Sequence, residues 1–194
     1  RRQRQMCIRD RYSVPKGGRD GSVRTDPHVA PREMHQMHLY PFKKVIQDAH
    51  PMGVMSSYND WDGVPVTASY YFLTQLLRQE FGFDGYVVSD SDAVEYVYNK
   101  HHVAETYEEA VRMVLEAGLN VRTTFAAPDI FILPARKLVK EGRLSMKVID
   151  ERVADVLRVK FRLGLFDQPF VADPKAADKI VGADKNKDFV LDIQ

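Results

Sequence analysis

The chain has 194 residues, of which 44% are hydrophobic and 28% are charged, and its single cysteine excludes an internal disulfide. This composition is that of an ordinary globular protein and excludes collagen-like and disulfide-stapled chains. The formal net charge is +1, and no apolar run reaches the roughly 20 residues of a membrane helix, so we expect neither a nucleic-acid nor a membrane partner.

The first eleven residues, RRQRQMCIRDR, are dense in charge and lack any apolar periodicity. Such a segment is typical of an unstructured tail or of a basic arm. Residues 6–11 resemble the translation of a sequencing-library adapter. We therefore interpret residues 1–11, which include Cys7, as a non-native N-terminal scar.

Apolar runs and helical patterns alternate along the rest of the chain. Strands are predicted to begin near residues 53, 85 and 119. Helices are predicted over residues 34–49, 69–81, 106–117, 132–141 and 145–163. Pro41 is expected to kink the first helix or reset its start, and Gly82 and Gly118 to end the second and third. Thr106 is expected to open a capping box with Glu109.

The spacing of the predicted strands, about thirty residues, is that of a parallel βαβ repeat. Right-handed crossovers place such strands in one parallel sheet, which either closes as a barrel or stays open. A closed (β/α)8 barrel needs about 250 residues. We therefore expect an α/β fold in which residues 12–166 are the C-terminal part of an incomplete TIM-like barrel. Residues 167–194 lack a core stripe and are interpreted as an interdomain linker.

One carboxylate is predicted to lie where parallel α/β folds place their chemistry, at the C-terminal end of a strand. The two-residue period puts Asp90 at the mouth of the strand that begins near residue 85. There it is a strand-end cap, a glycosidase nucleophile, or the nucleophile of a haloacid-dehalogenase-like phosphatase, whose D-x-D-x-[TV] pattern fits Asp90 and Asp92. The phosphatase ranks second because no later strand ends in paired acids for Mg²⁺.

Two histidines, His35 and His38, fall one helical turn apart, a spacing that can hold Zn²⁺. No glutamate lies between them in the metalloprotease pattern. A solvated or half-buried pair is therefore the favoured interpretation, and we expect no metal site here.

Five stretches then occur in an order that is typical of one enzyme family. They are residues 31–42 (PREMHQMHLYPF), 53–65 (GVMSSYNDWDGVP), 76–90 (LLRQEFGFDGYVVSD), 117–120 (AGLN) and 162–166 (RLGLF). From residue 12 to residue 194 the chain resembles the N-terminal barrel domain of family three glycoside hydrolases, the β-glucosidase and β-xylosidase type.

The resemblance implies a retaining, exo-acting β-glycosidase with Asp90 as its nucleophile, acting on an oligosaccharide or β-glycoside without a cofactor. It implies that Tyr58 touches the sugar or the nucleophile. It also implies that Arg19 donates to sugar hydroxyls, a role that suits a guanidinium because its fork of donors holds two oxygens.

Three departures from the family pattern accompany the resemblance. Ser91 replaces the tryptophan after the nucleophile, as in the β-xylosidase and arabinosidase-like branch, and Asn120 replaces the aspartate of A-G-x-D. The sugar-binding Lys-His pair is absent where MCIRDR stands.

In two-domain members the general acid is a glutamate of the second domain. We therefore expect a fragment that is inactive alone, with a missing second domain that supplies the acid. We also expect a periplasmic or extracellular location for the intact protein. A non-catalytic sugar-binding module is the further alternative.

Overall fold

The computed structural model describes the backbone of Ile8–Tyr12, residue 26, the stretch 28–171 and the single residues 173, 175, 176, 179 and 183. Arg19 and most of the predicted linker lie outside these described residues. The chain divides into two compact units, Arg1–Val159 and Lys160–Gln194, and the elements discussed below belong mainly to the first. Within the described ranges, no helix combines the length and the apolar character that a membrane crossing requires.

A parallel sheet of three strands forms the centre of the first unit, in the order β1-β2-β5. Its strands are β1 (Ile8–Tyr12), β2 (Gly53–Ser56) and β5 (Tyr86–Val88). A short antiparallel hairpin of β3 (Asp60–Trp61) and β4 (Val64–Pro65) follows β2. β2 and β5 pair from Gly53 with Tyr86 to Met55 with Val88. The strands predicted near residues 53 and 85 are thus confirmed.

Helices follow the strands, as the α/β prediction requires. They are α1 (Leu39–Ala49), α2 (Tyr71–Glu80), α3 (Ala93–Asn99), α4 (Tyr107–Ala117), α5 (Asp129–Lys140) and α6 (Met146–Arg162). α1 continues without a break from a helical turn at Pro31–Glu33 and a π-helical turn at Met34–His38, so Pro41 lies within one helical stretch. The predicted reset of the helix start at Pro41 is therefore wrong, because the helical backbone already begins at Pro31, and the irregularity that precedes this proline is the π-helical turn. α2 is itself a π-helix, and Phe81 N–H closes it on the carbonyl of Leu76, five residues back.

The core lies between the sheet and the apolar faces of these helices. Its fully buried members include Val54, Phe72, Leu73, Leu77, Val87, Ala110 and Val114. The apolar stripes read from the helical period in α2 and α4 are the faces that the structure buries. Each of these valine, leucine and phenylalanine side chains contributes about 1.5–3 kcal/mol relative to exposure.

The predicted strand at 119–123 is reduced to a single parallel bridge, between Val88 and Val121. Asn120 accounts for the difference, because its side-chain Oδ1 accepts the N–H of Val87 at 2.7 Å. A side-chain amide thus occupies a position that a backbone carbonyl would take in a longer ladder. The segment still follows the sheet edge next to β5.

Asn120 also joins the sheet to two helices through a buried polar cluster. Its Oδ1 accepts from Arg78 Nη2 at 2.8 Å, and its Nδ2 donates to the carbonyl of Arg152 and to Asp155 Oδ2, each at 2.9 Å. All the hydrogen-bonding capacity of the amide is therefore used. Burial lowers the pKa of Arg78 to about 10, although Asp155, 3.1 Å away, opposes this.

The N-terminal segment differs from the predicted unstructured tail. The backbone of Ile8–Tyr12 pairs in parallel with β2, with an irregularity in register between Ile8 and Tyr12. Edge pairing uses backbone groups that every non-proline residue carries, so a charged, aperiodic sequence does not prevent it. The interpretation of residues 1–11 as a non-native scar stays a prediction.

The predicted cap of α4 is half confirmed. Glu109 N–H donates to Thr106 Oγ1 at 3.1 Å, as a capping box requires. The Glu109 carboxylate, however, pairs with Arg112 one turn later instead of returning to the N-cap. Gly118, with φ at 124°, ends the helix as predicted.

Candidate active site

Two of the three predicted site residues follow the carboxyl ends of neighbouring strands. Tyr58 comes two residues after β2 ends, and Asp90 comes two residues after β5 ends. Because β2 and β5 are parallel and paired, both residues lie at the same edge of the sheet. Each is only 8% exposed. Arg19, the third, is outside the described residues.

Asp90 is held by the turn that leads into α3. Its Oδ1 accepts the N–H of Ser91 at 2.8 Å, and its carbonyl accepts the N–H of Ala93 at 3.1 Å. The carboxylate therefore does contribute to the strand-end turn, as the structural interpretation expected. This hydrogen bond to Oδ1 fixes the direction of the carboxylate.

Tyr58 is fixed from two sides. Its ring lies 5.5 Å, centroid to centroid, from that of Tyr96 in α3. Its carbonyl accepts a hydrogen bond from His101 Nε2 at 3.0 Å, which places the proton on that nitrogen. The two loops that flank the site are thus connected by a histidine.

His101 was not singled out by the sequence, where the pair His101-His102 indicated only a loop. Burial lowers the pKa of His101, and the nearby Asp60 carboxylate, 3.7 Å from Nδ1, opposes that shift. The sequence carries no signal of this contact, because the partner of His101 is the backbone of Tyr58, 43 positions away.

A buried chain of hydroxyl groups supports the segment between β2 and Tyr58. Ser56 Oγ and Thr67 Oγ1 are 2.9 Å apart, and Thr67 donates to the carbonyl of Ser57 at 3.0 Å. Ser57 in turn donates to Asn59 Oδ1 at 2.8 Å. Satisfied polar groups in a buried loop hold it in one conformation.

The other predicted acids and histidines have local partners. Asp92 Oδ1 accepts the hydroxyl of Thr124 at 2.7 Å. His35 Nε2 lies 2.8 Å from the hydroxyl of Tyr71, and His38 lies 3.6 Å from Glu33. His35 is exposed and His38 half-buried, which agrees with the interpretation of a solvated or half-buried pair.

A cavity of about 420 Å³ opens on the outer helices, between α1 and the end of α2. Its lining includes Lys43 and Glu80, which pair at 2.9 Å, and contains neither Asp90 nor Tyr58. The predicted site therefore lies at the sheet edge and not in this cavity.

Comparison with known proteins identifies the family. The profile described as "Glycosyl hydrolase family 3 N terminal domain" matches residues 16–159. A β-xylosidase of Formosa agariphila is 30% identical over 172 residues, which are 85% of this chain and 23% of that protein.

Solved structures agree with this match. A β-glucosidase from Erythrobacter marinus aligns with a TM-score of 0.81 at 34% identity, over 88% of this chain and 22% of that one. An exo-β-xylosidase in complex with a xylobiose aziridine activity-based probe aligns with a TM-score of 0.69 at 28% identity, over 79% of this chain and 20% of that one.

The chain spans less than a quarter of each of these three proteins. The named relatives are glycosidases, which disfavours the phosphatase and the non-catalytic sugar-binding module as alternatives. Because the family profile covers most of the sequence and the relatives bear matching names, this chain belongs to glycosyl hydrolase family 3, whose members are enzymes.

Proposed function

We propose that the intact protein is a retaining, exo-acting β-glycosidase that removes a terminal β-linked glucose or xylose, with Asp90 as its nucleophile. The observation that carries this proposal is the position of Asp90: a buried carboxylate at the carboxyl end of a parallel strand, next to the strand end that bears Tyr58. Catalytic groups collect at this edge in parallel α/β folds.

In the first step, a carboxylate oxygen of Asp90 attacks the anomeric carbon and forms a covalent ester, while the bond to the leaving oxygen breaks. A second carboxylic acid protonates that oxygen as it leaves. In the second step the same group, now a carboxylate, takes a proton from water, which attacks the anomeric carbon and releases Asp90. Two inversions give overall retention, and the two carboxyl groups lie about 5–5.5 Å apart in such enzymes.

Ser91 N–H assists by holding one oxygen of Asp90 at 2.8 Å, so that the nucleophile meets the substrate in one orientation. Tyr58 is proposed to contact the sugar or the nucleophile, since its ring is fixed against Tyr96. Arg19 is proposed to bind sugar hydroxyls. No cofactor is required for this chemistry.

We propose that the barrel is completed, and the general acid supplied, by parts of the protein beyond these 194 residues. The matched relatives are more than four times as long as the aligned region, which supports this. The missing group is proposed to be a glutamate of a second domain. Completion of the barrel would also enclose the sheet edge that carries Asp90.

The test is covalent labelling of the intact protein. A 2-fluoro-β-glycoside or a xylobiose aziridine probe is expected to label Asp90, as identified by mass spectrometry of the peptide. Asp90→Asn is expected to abolish labelling and to lower kcat on p-nitrophenyl β-xyloside or β-glucoside by at least about 10⁴-fold, because the ester can no longer form.

Asp48→Asn is the matched control, because it removes an exposed carboxylate whose partner is Lys44 on the same helix. It is expected to retain wild-type turnover. Asp90→Asn protein that keeps its activity, or a label on another residue, would contradict the assignment. The ratio of kcat/KM between xyloside and glucoside then decides which sugar is preferred. We expect xylose, because a small residue such as Ser91 after the nucleophile resembles the β-xylosidase branch.

A further inference from the structure

The turn after Asp90 contains one residue, Asp92, with a strained backbone conformation. Asp92 has φ 59° and ψ 14°. These angles lie in the left-handed region, which residues other than glycine adopt infrequently. Such a conformation costs free energy and persists only where the surroundings impose it. The strained residue is two positions from Asp90, at the start of α3.

Three hydrogen bonds hold Asp92 in this conformation. Its N–H donates to the carbonyl of Thr123 at 2.9 Å, and its Oδ1 accepts the hydroxyl of Thr124 at 2.7 Å. Its carbonyl accepts the N–H of Tyr96, which continues α3. Two of the three bonds are made with Thr123 and Thr124, which follow the Val88–Val121 bridge at the edge of the sheet next to β5.

The hydroxyl of Thr124 has its direction fixed. It accepts from Arg122 Nη2 at 3.2 Å and from the N–H of Ala126 at 3.1 Å, so its single proton is left to point at Asp92. Arg122 is itself immobilised, because its side chain is 4% exposed and its Nε donates to Glu95 in α3 at 2.9 Å.

The same segment also holds the residue before Asp90. Thr123 N–H donates to Ser89 Oγ at 2.9 Å. Asp90 therefore lies between Ser89, which is bonded to Thr123, and Asp92, which is bonded to both Thr123 and Thr124. A shift of this segment would move both ends of the turn that carries the carboxylate.

We propose that Thr124 is a positioning residue for the nucleophile: through Asp92 it holds the strained turn that aims the Asp90 carboxylate. This inference rests on the proposed function, since it assigns Thr124 a part in the attack by Asp90. Thr124 itself touches neither the sugar nor the reacting atoms.

The test compares Thr124→Val with Thr124→Ser in the intact protein. Valine keeps the shape and loses the hydroxyl, whereas serine keeps the hydroxyl. Thr124→Val is expected to lower kcat and the rate of 2-fluoro-glycoside labelling of Asp90 by roughly 10- to 100-fold, because a nucleophile displaced by about 1 Å loses that much. KM is expected to change by less than about threefold, and Thr124→Ser to recover most of the rate.

Thr74→Val is the control for general loss of a hydrogen bond. Thr74 donates to the carbonyl of Ala117 at 2.8 Å, between α2 and α4 and away from the turn. It is expected to keep the wild-type rate of labelling. Three outcomes would each overturn the inference and leave the proposed function standing. They are an unchanged labelling rate in Thr124→Val, a loss of rate that Thr124→Ser does not recover, and an equal loss of rate in Thr74→Val. A wild-type protein that is not labelled at Asp90 would overturn the proposed function and the inference with it.

Discussion

His101 is one side chain through which solution pH is expected to act on the fold around the site. Its folded-state pKa lies below the ordinary value of 6.5, mainly because of burial, with opposition from Asp60 and the carbonyl of Tyr58 and support from Lys100 and His102. The unfolded chain therefore binds the proton at higher pH than the folded chain. This group makes no difference to stability above pH 6.5, and it reduces the free energy of unfolding as pH falls below that value.

We expect the melting temperature of the wild-type protein to fall between about pH 7 and pH 5 more steeply than that of His101→Gln. Glutamine keeps an N–H for the carbonyl of Tyr58 but does not titrate. Nuclear magnetic resonance titration of His101 gives the midpoint directly. His38→Gln, at the outer helices, serves as the comparison. A midpoint at or above 6.5 would refute the expected direction.

At the level of elements, the start of β5 depends on Gly85, because the backbone of Met52 lies where any side chain at this position would begin. A Cβ at Gly85 would lie 2.2 Å from the carbonyl oxygen of Met52 and 2.7 Å from its carbonyl carbon. That carbonyl accepts the N–H of Tyr86 at 3.1 Å, the bond that starts the pairing of β2 with β5. Backbone atoms cannot move away as a flexible side chain would.

Gly85→Ala is therefore expected to cost about 1–3 kcal/mol and to lower the melting temperature and the activity together. Gly142→Ala is the matched control, because its φ of 71° disfavours alanine but no atom lies within 4 Å of the added Cβ. Only the conformational cost, about 1–2 kcal/mol, is expected there, with activity unaffected. Equal activity in the two variants would argue against a link between Gly85 and the site.

Helix faces and strand starts could be predicted from sequence because they follow from local periodicity. Ala110, Val114 and Leu115 on α4 are buried as their spacing predicts. The shortening of the strand at 119–123 could not be predicted, since it depends on Asn120 meeting Val87 across the sheet. The hydrogen bond between Thr124 and Asp92 could not be predicted either, because the two residues lie 32 positions apart in the sequence.

For the molecule as a whole, we expect the isolated 194-residue chain to self-associate and to be inactive. Among the described residues the sheet is open, and large apolar side chains are exposed, with Phe125 at 95% and Leu133 at 57%. Unpaired strand edges and apolar patches favour association. Light scattering after size-exclusion chromatography tests this. A monomer with a single cooperative melting transition would contradict it, and the intact protein is the reference.

The amide of Asn120 also limits how this domain can diverge. It donates to Asp155 while the family motif has an acid at this position, so aspartate here would set two carboxylates against each other beneath the sheet. Asn120→Asp is therefore expected to weaken the link between the sheet edge and α6, because the N–H donors to the carbonyl of Arg152 and to Asp155 are lost. A change at either Asn120 or Asp155 thus alters the hydrogen bonding of the other.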